Sequence, residues 1–226
     1  ISNSINGRGA IKFDGKSMIN VSANALSDGN KAYTVFIVVK NDTQVWETVL
    51  SSGLFSKPGD FNGFVHRGDL AGVMNWWHID PLITYDQEIP QDNIYVMMFS
   101  YEPESSKGPS KQEIYINGGL KASRTYSSRD TTRTPVYIGG NPLLPRYGVS
   151  NFTGYIGEVL IYDKGLDQQG VTKINYYLAN KWGLNQNADS DMDGVPDSLE
   201  FEPLNSDILG YDIPNKTDWN IATDKT

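Results

Sequence analysis

The densest chemistry in this 226-residue chain is the run Asp189-Ser190-Asp191-Met192-Asp193-Gly194-Val195-Pro196-Asp197-Ser198-Leu199-Glu200. Carboxylates stand at positions 1, 3, 5, 9 and 12 of this loop, glycine stands at 6, and position 7 offers the Val195 backbone carbonyl. That is the spacing of a calcium loop, in which alternate side chains turn inward and the glycine permits the sharp bend. A cation of this kind wants ~6–8 oxygens at ~2.3–2.6 Å, and carboxylates crowded without one repel each other. Asp189, Asp191, Asp193, Val195, Asp197 and Glu200 are therefore candidate calcium ligands. The bland alternative is a solvated acidic linker. Asn185-Gln186-Asn187-Ala188 stands where a sensor loop would have a flanking helix, and Asp207, Asp212 and Asp218 rebuild no second loop, so a structural ion is expected rather than a switch.

A second candidate chemistry is sugar recognition by aromatic rings. Asn75-Trp76-Trp77-His78 sets two indoles side by side, and neighbours on a strand point to opposite faces, so at most one belongs to a core. The other is a platform for the apolar face of a sugar ring, with Asn75 or His78 beside it. The competing reading packs both indoles, one between layers and one under a loop or helix. His66 and Asp69, in His66-Arg67-Gly68-Asp69, offer a neighbouring loop, although the Arg-Gly-Asp order is too short to argue receptor binding. Arg146, Tyr147 and Asn151 lie in the long connection from Asn141 to Asn151, and connections of such length are often functional. Its alternative is a surface excursion with Tyr147 folded down.

Catalysis is less well supplied. Glycoside hydrolysis needs two carboxylates ~5–10 Å apart across the scissile bond. Glu158 and Asp163 have an odd spacing that puts them on opposite faces of a strand. Glu102 and Glu104 have an even one but flank Pro103 beside Ser105-Ser106-Lys107-Gly108, a loop. His66 and His78 are the only histidines, and no Gly-x-Ser-x-Gly elbow is present. The chain has no cysteine, which removes thiolate metal sites, disulfides and a thiol nucleophile together.

The net charge of −8 is placed unevenly. Asp189 to Thr226 carries ten acidic residues against Lys216 and Lys225, whereas the preceding residues hold 17 acidic and 17 basic side chains. The tail repels phosphate backbones and the rest shows no basic stripe, so nucleic acid is not an expected partner. No apolar run approaches the ~18 residues that span a bilayer. Ile1 opens onto polar residues rather than a basic start and an apolar segment, which reads as a mature fragment or excised domain.

Positioning these residues requires a scaffold, and the pattern of the first ~163 residues is that of an all-β sandwich. Short β-branched and aromatic runs end in Gly, Pro, Asn or Asp at Ala10–Asp14, Ser17–Val21, Tyr33–Lys40, Glu47–Ser51, Gly63–His66, Val73–His78, Leu82–Tyr85, Ile94–Tyr101, Gln112–Ile116, Leu120–Thr125, Val136–Ile138 and Tyr155–Tyr162. That many strands demand two packed sheets. Asn117-Gly118-Gly119 predicts a hairpin, since these residues tolerate positive φ. The unbroken apolar runs Val35–Val39 and Tyr95–Phe99 predict strands covered on both faces. Val171, Ile174, Leu178 and Trp182 recur at helical spacing, predicting a helix over Asp167–Trp182, ended by Gly183 and docked on the sandwich.

Several of these residues carry a resemblance. Gly9-Ala10-Ile11-Lys12-Phe13-Asp14-Gly15, Glu113-Ile114-Tyr115-Ile116-Asn117-Gly118, Pro135-Val136-Tyr137-Ile138-Gly139-Gly140 and Phe152-Thr153-Gly154-Tyr155-Ile156-Gly157-Glu158-Val159-Leu160-Ile161-Tyr162-Asp163 resemble, in order, the signatures of laminin-G-like, concanavalin A-like jelly rolls of bacterial surface proteins. Tyr177-Leu178-Ala179-Asn180-Lys181-Trp182-Gly183-Leu184 is similar to the helix that follows that fold in many of them. The acidic run resembles a thrombospondin type 3 repeat, a calcium-wrapped spacer that commonly follows such jelly rolls. The resemblance implies a two-sheet antiparallel jelly-roll sandwich over residues 1–184 and an acidic calcium-binding tail over 185–226. Because this fold hosts lectins, adhesion modules, hydrolases and lyases, it does not choose a ligand. Together with the missing acid pair it leads to an expectation: a non-catalytic, calcium-associated glycan-binding or adhesion module of a large secreted or surface bacterial protein, extracellular, part of a longer multidomain chain, with a glycan or cell-surface ligand and no membrane insertion. The alternatives are a polysaccharide-degrading enzyme of the same fold, and a structural spacer or protein-interaction module that binds no sugar.

Overall fold

The computed structural model describes residues 5–22, 25–26, 28–43, 45–54, 60–66, 71–74, 83–84, 93–105, 108–126, 130–191, 193–199 and 221–224, with the backbone alone described at 66, 71–74, 83–84, 126, 147 and 221–224. Its elements in chain order are β1 (Ile11–Asp14), β2 (Ile19–Val21), β3 (Tyr33–Asn41), β4 (Glu47–Ser52), β5 (Asn62–His66), β6 (Ala71–Met74), β7 (Ile83–Thr84), β8 (Ile94–Glu102), β9 (Ser110–Ile116), β10 (Gly119–Tyr126), β11 (Val136–Ile138), β12 (Ser150–Asn151), β13 (Thr153–Tyr162), helix α1 (Gln168–Trp182) and β14 (Ile221–Asp224).

These strands form two sheets. Sheet I runs β1-β13-β3-β8-β9-β10, with β14 alongside β13; sheet II runs β2-β11-β4-β5-β6-β7, with β12 alongside β4. Pairing along both paths is antiparallel, and the two side strands β12 and β14 pair parallel. The two-layer expectation therefore holds, and the alternation inside the long runs explains it. Val35, Ile37 and Val39 of β3, with Tyr95, Met97 and Phe99 of β8, fill the space between the sheets against Leu50, Phe64 and Ile138. The intervening Phe36, Val38, Val96 and Met98 face the other way, onto Val171, Ile174, Leu178 and Trp182 of α1. Each such side chain contributes ~1.5–3 kcal/mol by leaving water, so a strand with no polar face is stable only because both of its faces are covered.

The helix is bounded as its residues predict. The Asp167 carboxylate accepts the Gly170 N–H at 2.8 Å, and Gly183 closes the helix with φ 68°. Its attachment to sheet I has a polar centre. Glu158 of β13 is buried at 2% exposure, and its carboxylate accepts Trp182 Nε1 at 2.8 Å, Tyr177 Oη at 3.0 Å and Lys181 Nζ at 2.9–3.0 Å. The hairpin between β9 and β10 turns on Asn117 (φ 51°) and Gly118 (φ 86°), with Gly119 already paired to Ile116.

Some boundaries differ from the sequence reading. β6, over Ala71–Met74, starts two residues before the Val73 expected from the sequence, and residues 75–78 of the expected Val73–His78 strand lie outside the described residues. The sequence reading also lacks β12 and β14; strands of two and four residues paired parallel on a neighbour carry too few positions to display alternation. Among the described residues no helix is long and apolar enough to cross a membrane.

Replacing Glu158 by Ala leaves an indole N–H, a phenol and a partly buried ammonium without their shared acceptor. Because Lys181 can still reach water, the expected loss is about 2–4 kcal/mol, the lower end of what breaking a buried pair costs. Urea unfolding reads it directly, and Glu158→Gln, which keeps an acceptor for Trp182, is expected to lose less; an unchanged midpoint for Glu158→Ala would show that apolar packing alone holds the helix.

Candidate functional site

The acidic loop is carried by the end of α1. After the Gly183 cap the chain keeps packing, since Leu184 and Ala188 are buried in the helix-facing layer of sheet I. The next residue is fixed to the sandwich itself: the Asp189 N–H donates to the Asn117 carbonyl at 3.0 Å. A Cβ placed on Gly118 would lie 1.9 Å from the Asp189 carbonyl oxygen. Glycine at the hairpin tip thus serves the left-handed turn and the close approach of the loop together. The start of the acidic segment is an extension of the jelly roll rather than a detached tail.

A neck closes the loop. Asp197 N–H donates to the Ala188 carbonyl at 2.8 Å and Ser198 N–H to the Asn185 carbonyl at 3.0 Å. The Asp197 carboxylate accepts both the Ser190 N–H and the Ser190 hydroxyl at 2.7 Å. Burial raises the Asp197 carboxyl above the ordinary value; the Ser190 bonds oppose this, and the charges of Asp189 and Asp191 reinforce it. Between the two sides of the neck, Asp189, Asp191 and Asp193 bring ligand oxygens within 4.8 Å of one another. Backbone amides hold that arrangement: Asp193 N–H bridges Asp189 and Asp191 at 3.2 Å, Gly194 N–H reaches Asp189 at 3.0 Å, and Val195 N–H reaches Asp193 at 2.8 Å. Oxygens on opposite sides of one calcium ion stand about 4.6–5.2 Å apart, so the spread fits a single ion of that size. Of the six candidate ligands the structure gathers Asp189, Asp191 and Asp193. Asp197 bonds Ser190 at the neck, and Glu200 lies outside the described residues.

The candidate sugar-contact residues divide. Asn75, Trp76, Trp77, His78 and Asp69 lie outside the described residues. His66 ends β5, with its backbone paired to Glu47 on one side and Ala71 on the other. β6 pairs with β5 from Ala71 opposite His66 to Met74 opposite Gly63. Arg146 and Tyr147 close a single 3-10 turn, Leu144–Tyr147, on which the Arg146 side chain is exposed. Asn151 requires a correction. It is buried, and its Oδ1 accepts the Asn141 N–H at 3.1 Å, because β12 presses the residue against Gly140.

The connection from Asn141 to Asn151 is stitched down along its length. Asn141 Oδ1 accepts the Leu143 and Leu144 N–H groups at 2.8 and 3.2 Å, and its Nδ2 donates to Ser51 Oγ at 3.0 Å. Leu144 packs with Phe61, Val65 and Val149 on the outer face of sheet II, with Trp46 at their edge. Trp46 is absent from the sequence reading; a lone indole before a strand has no pattern around it to mark a surface cluster. The acids available for two-carboxylate chemistry are also accounted for in part. Glu158 is locked under the helix, and Asp60 is buried with its carboxylate on the Leu54 and Thr132 N–H groups at 3.0 and 2.6 Å.

Comparison with known proteins agrees with this architecture. The family model Laminin_G_3, described as the Concanavalin A-like lectin/glucanases superfamily, matches residues 13–172. Among solved structures, the CBM40 of a Ruminococcus gnavus IT-sialidase bound to alpha2,3 sialyllactose superposes with TM-score 0.53 at 14% identity, covering 71% of this chain and 92% of that one. Domains LG4-5 of the mouse laminin alpha1 chain give 0.54 at 16% identity over 70% of this chain and 43% of that one. A putative carbohydrate-binding protein from Bacteroides ovatus gives 0.52 at 14% identity, covering 72% and 45%. Comparison with curated proteins gives no match.

The contact between hairpin and acidic loop is open to a single substitution. Gly118→Ala is expected to cost at least ~1–2 kcal/mol from the left-handed backbone alone, with displacement of Asp189 added to it. Calorimetric melting of the variant reads this, and a melting temperature equal to the parent's would show that the loop does not rest on the turn.

Proposed function

The chain belongs to the Concanavalin A-like lectin/glucanases superfamily, and from that premise we propose that it is a non-catalytic glycan-binding module of an extracellular protein, with a structural calcium ion in the Asp189–Glu200 loop. The observation that supports the non-catalytic reading is that two acids of the sandwich, Glu158 and Asp60, are spent inside the fold. The glycan reading draws support from the two structural relatives described as carbohydrate-binding, which share the two-sheet frame with this chain. Asn75, Trp76, Trp77 and His78, together with His66, Asp69, Arg146 and Tyr147, are the residues proposed to meet the sugar.

Calcium would be held by Asp189, Asp191 and Asp193, joined by the Val195 carbonyl and by Glu200. The ion would neutralise the carboxylates that the loop crowds together, and Asp197 and Ser190 would keep the neck shut around it. It acts on the loop's order, not on chemistry at a substrate.

Calcium titration calorimetry on the protein is expected to show binding, with a melting temperature that falls in chelator; Asp191→Asn is expected to weaken binding at least tenfold, ~1.4 kcal/mol. An isotherm with no heat, together with a melting point indifferent to chelator, would sink the calcium assignment.

A glycan array is expected to give a defined set of hits, and polysaccharides incubated with the protein are expected to release no product. For a hit, Trp76→Ala and Trp77→Ala tested separately should reveal one variant with a loss of at least tenfold and one with little change. Sugar release would convert the reading to an enzyme, and an array without hits would favour a spacer.

A further inference from the structure

Strand β13 has two edges. One pairs with β3 from Gly154 to Tyr162. The other is divided between two partners: β1 covers Thr153–Ile156 antiparallel, and β14 covers Val159–Tyr162 parallel. The division falls at a bulge between Ile156 and Glu158, where a Cβ on Gly157 would stand 2.6 Å from the Trp182 ring. The helix thus presses on β13 where β1 stops, and the rest of that edge takes a separate strand.

This half of the edge is a poor surface to leave bare. Val159, Leu160, Ile161 and Tyr162 are each at most 4% exposed. Val159 and Ile161 belong to the layer between the sheets, and Leu160 and Tyr162 to the layer under the helix. Where both faces of a strand are apolar, an uncovered row of N–H and C=O groups along its edge is a template for pairing with another chain. β14 fills the row, and among the described residues its strand pairing is with β13 alone.

The hold is small and the reach is large. Parallel pairing is slightly less stable per residue than antiparallel, and β14 makes it over the four residues Ile221–Asp224. Residues 200–220 separate β14 from Leu199 of the acidic segment. A stretch of that length spans at most about 70 Å, whereas the ten residues of β13 extend roughly 33 Å. The same edge on a neighbouring molecule is therefore within the reach of β14.

We propose that the Val159–Tyr162 edge of β13 is a strand-docking site that a second copy of this chain fills with its own β14, so that two copies associate by reciprocal strand exchange. The backbone pairing is the same whichever copy supplies the strand. Each copy gives one strand and receives one, so the assembly closes as a two-fold dimer. Within one molecule the tether presents β14 to its own edge at an effective concentration on the order of millimolar, and exchange therefore requires crowding of that order. The contact needs neither the calcium ion nor a sugar.

The test incubates the full chain at about millimolar concentration in mild urea, returns it to buffer and dilutes it for light scattering. A dimer that persists after dilution is expected. Ala222→Pro/Thr223→Pro removes the backbone N–H at two successive positions, one of which faces β13, and this variant is expected to stay monomeric. Should the variant not fold, the parent is incubated with an excess of a synthetic peptide of residues 219–226. The peptide is expected to lower the dimer fraction at least tenfold, and the same peptide carrying both prolines to leave it unchanged. The proposal is overturned if the parent stays monomeric throughout, if the double variant dimerises as the parent does, or if the unmodified peptide leaves the dimer fraction unchanged.

Discussion

The rest of the structure depends on the central strands of sheet I, β3 and β8, being buried on both faces. β3 and β8 have no polar side to offer water: one set of their residues belongs to the space between the sheets and the alternate set to the helix. A second sheet alone would leave Phe36, Val38, Val96 and Met98 in solvent, so α1 is a required layer rather than an appendage. Glu158 sets where that layer sits. Apolar packing tolerates sliding, whereas a buried carboxylate that must meet Trp182, Tyr177 and Lys181 together tolerates little. Fixing the helix fixes its end, and its end delivers Leu184, Ala188 and Asp189 onto the β9–β10 turn.

The long-range frame was legible because it is written in periodicity. Val35–Val39 and Tyr95–Phe99 announce strands with two apolar faces, and Val171, Ile174, Leu178 and Trp182 announce the helix that explains one of those faces. Asn117-Gly118 announces its turn because backbone chirality leaves few residue types for two successive positive φ angles. Interior polar partnerships were not legible. Nothing in the spacing of Asn141, Ser51 and Asn151 says that they meet, since each belongs to a different segment and the sheet pairing alone brings them together. Asn151 therefore read as a rim residue although it is buried. The bonds from Ser190 to Asp197, which close the neck of the acidic loop, are likewise not announced by the spacing that marks Asp197 as the loop's ninth position.

The interior polar groups also show what fixes the sandwich as one arrangement. Tyr33 Oη donates to Asn62 Oδ1 at 3.1 Å and accepts from Gln112 Nε2 at 3.2 Å, and Asn62 Nδ2 donates to Thr131 Oγ at 3.1 Å. This chain of bonds ties β3 and β9 of sheet I to β5 of sheet II. Hydrophobic burial would accept several registers between two apolar faces; directional bonds between the sheets accept few.

Topology gathers charge at one end of the molecule. β3 ends at Asn41 and β8 begins at Ile94, its partner at Lys40, while the Asn117-Gly118 turn follows Ile116, the partner of Met97. The short connection after Asn41 leads straight into Glu47, so His66 and Ser150, both paired with Glu47, share that end of sheet II. The acidic loop on the turn, the Asn41–Glu47 connection, His66 and the Arg146 turn that precedes Ser150 thus belong to one end.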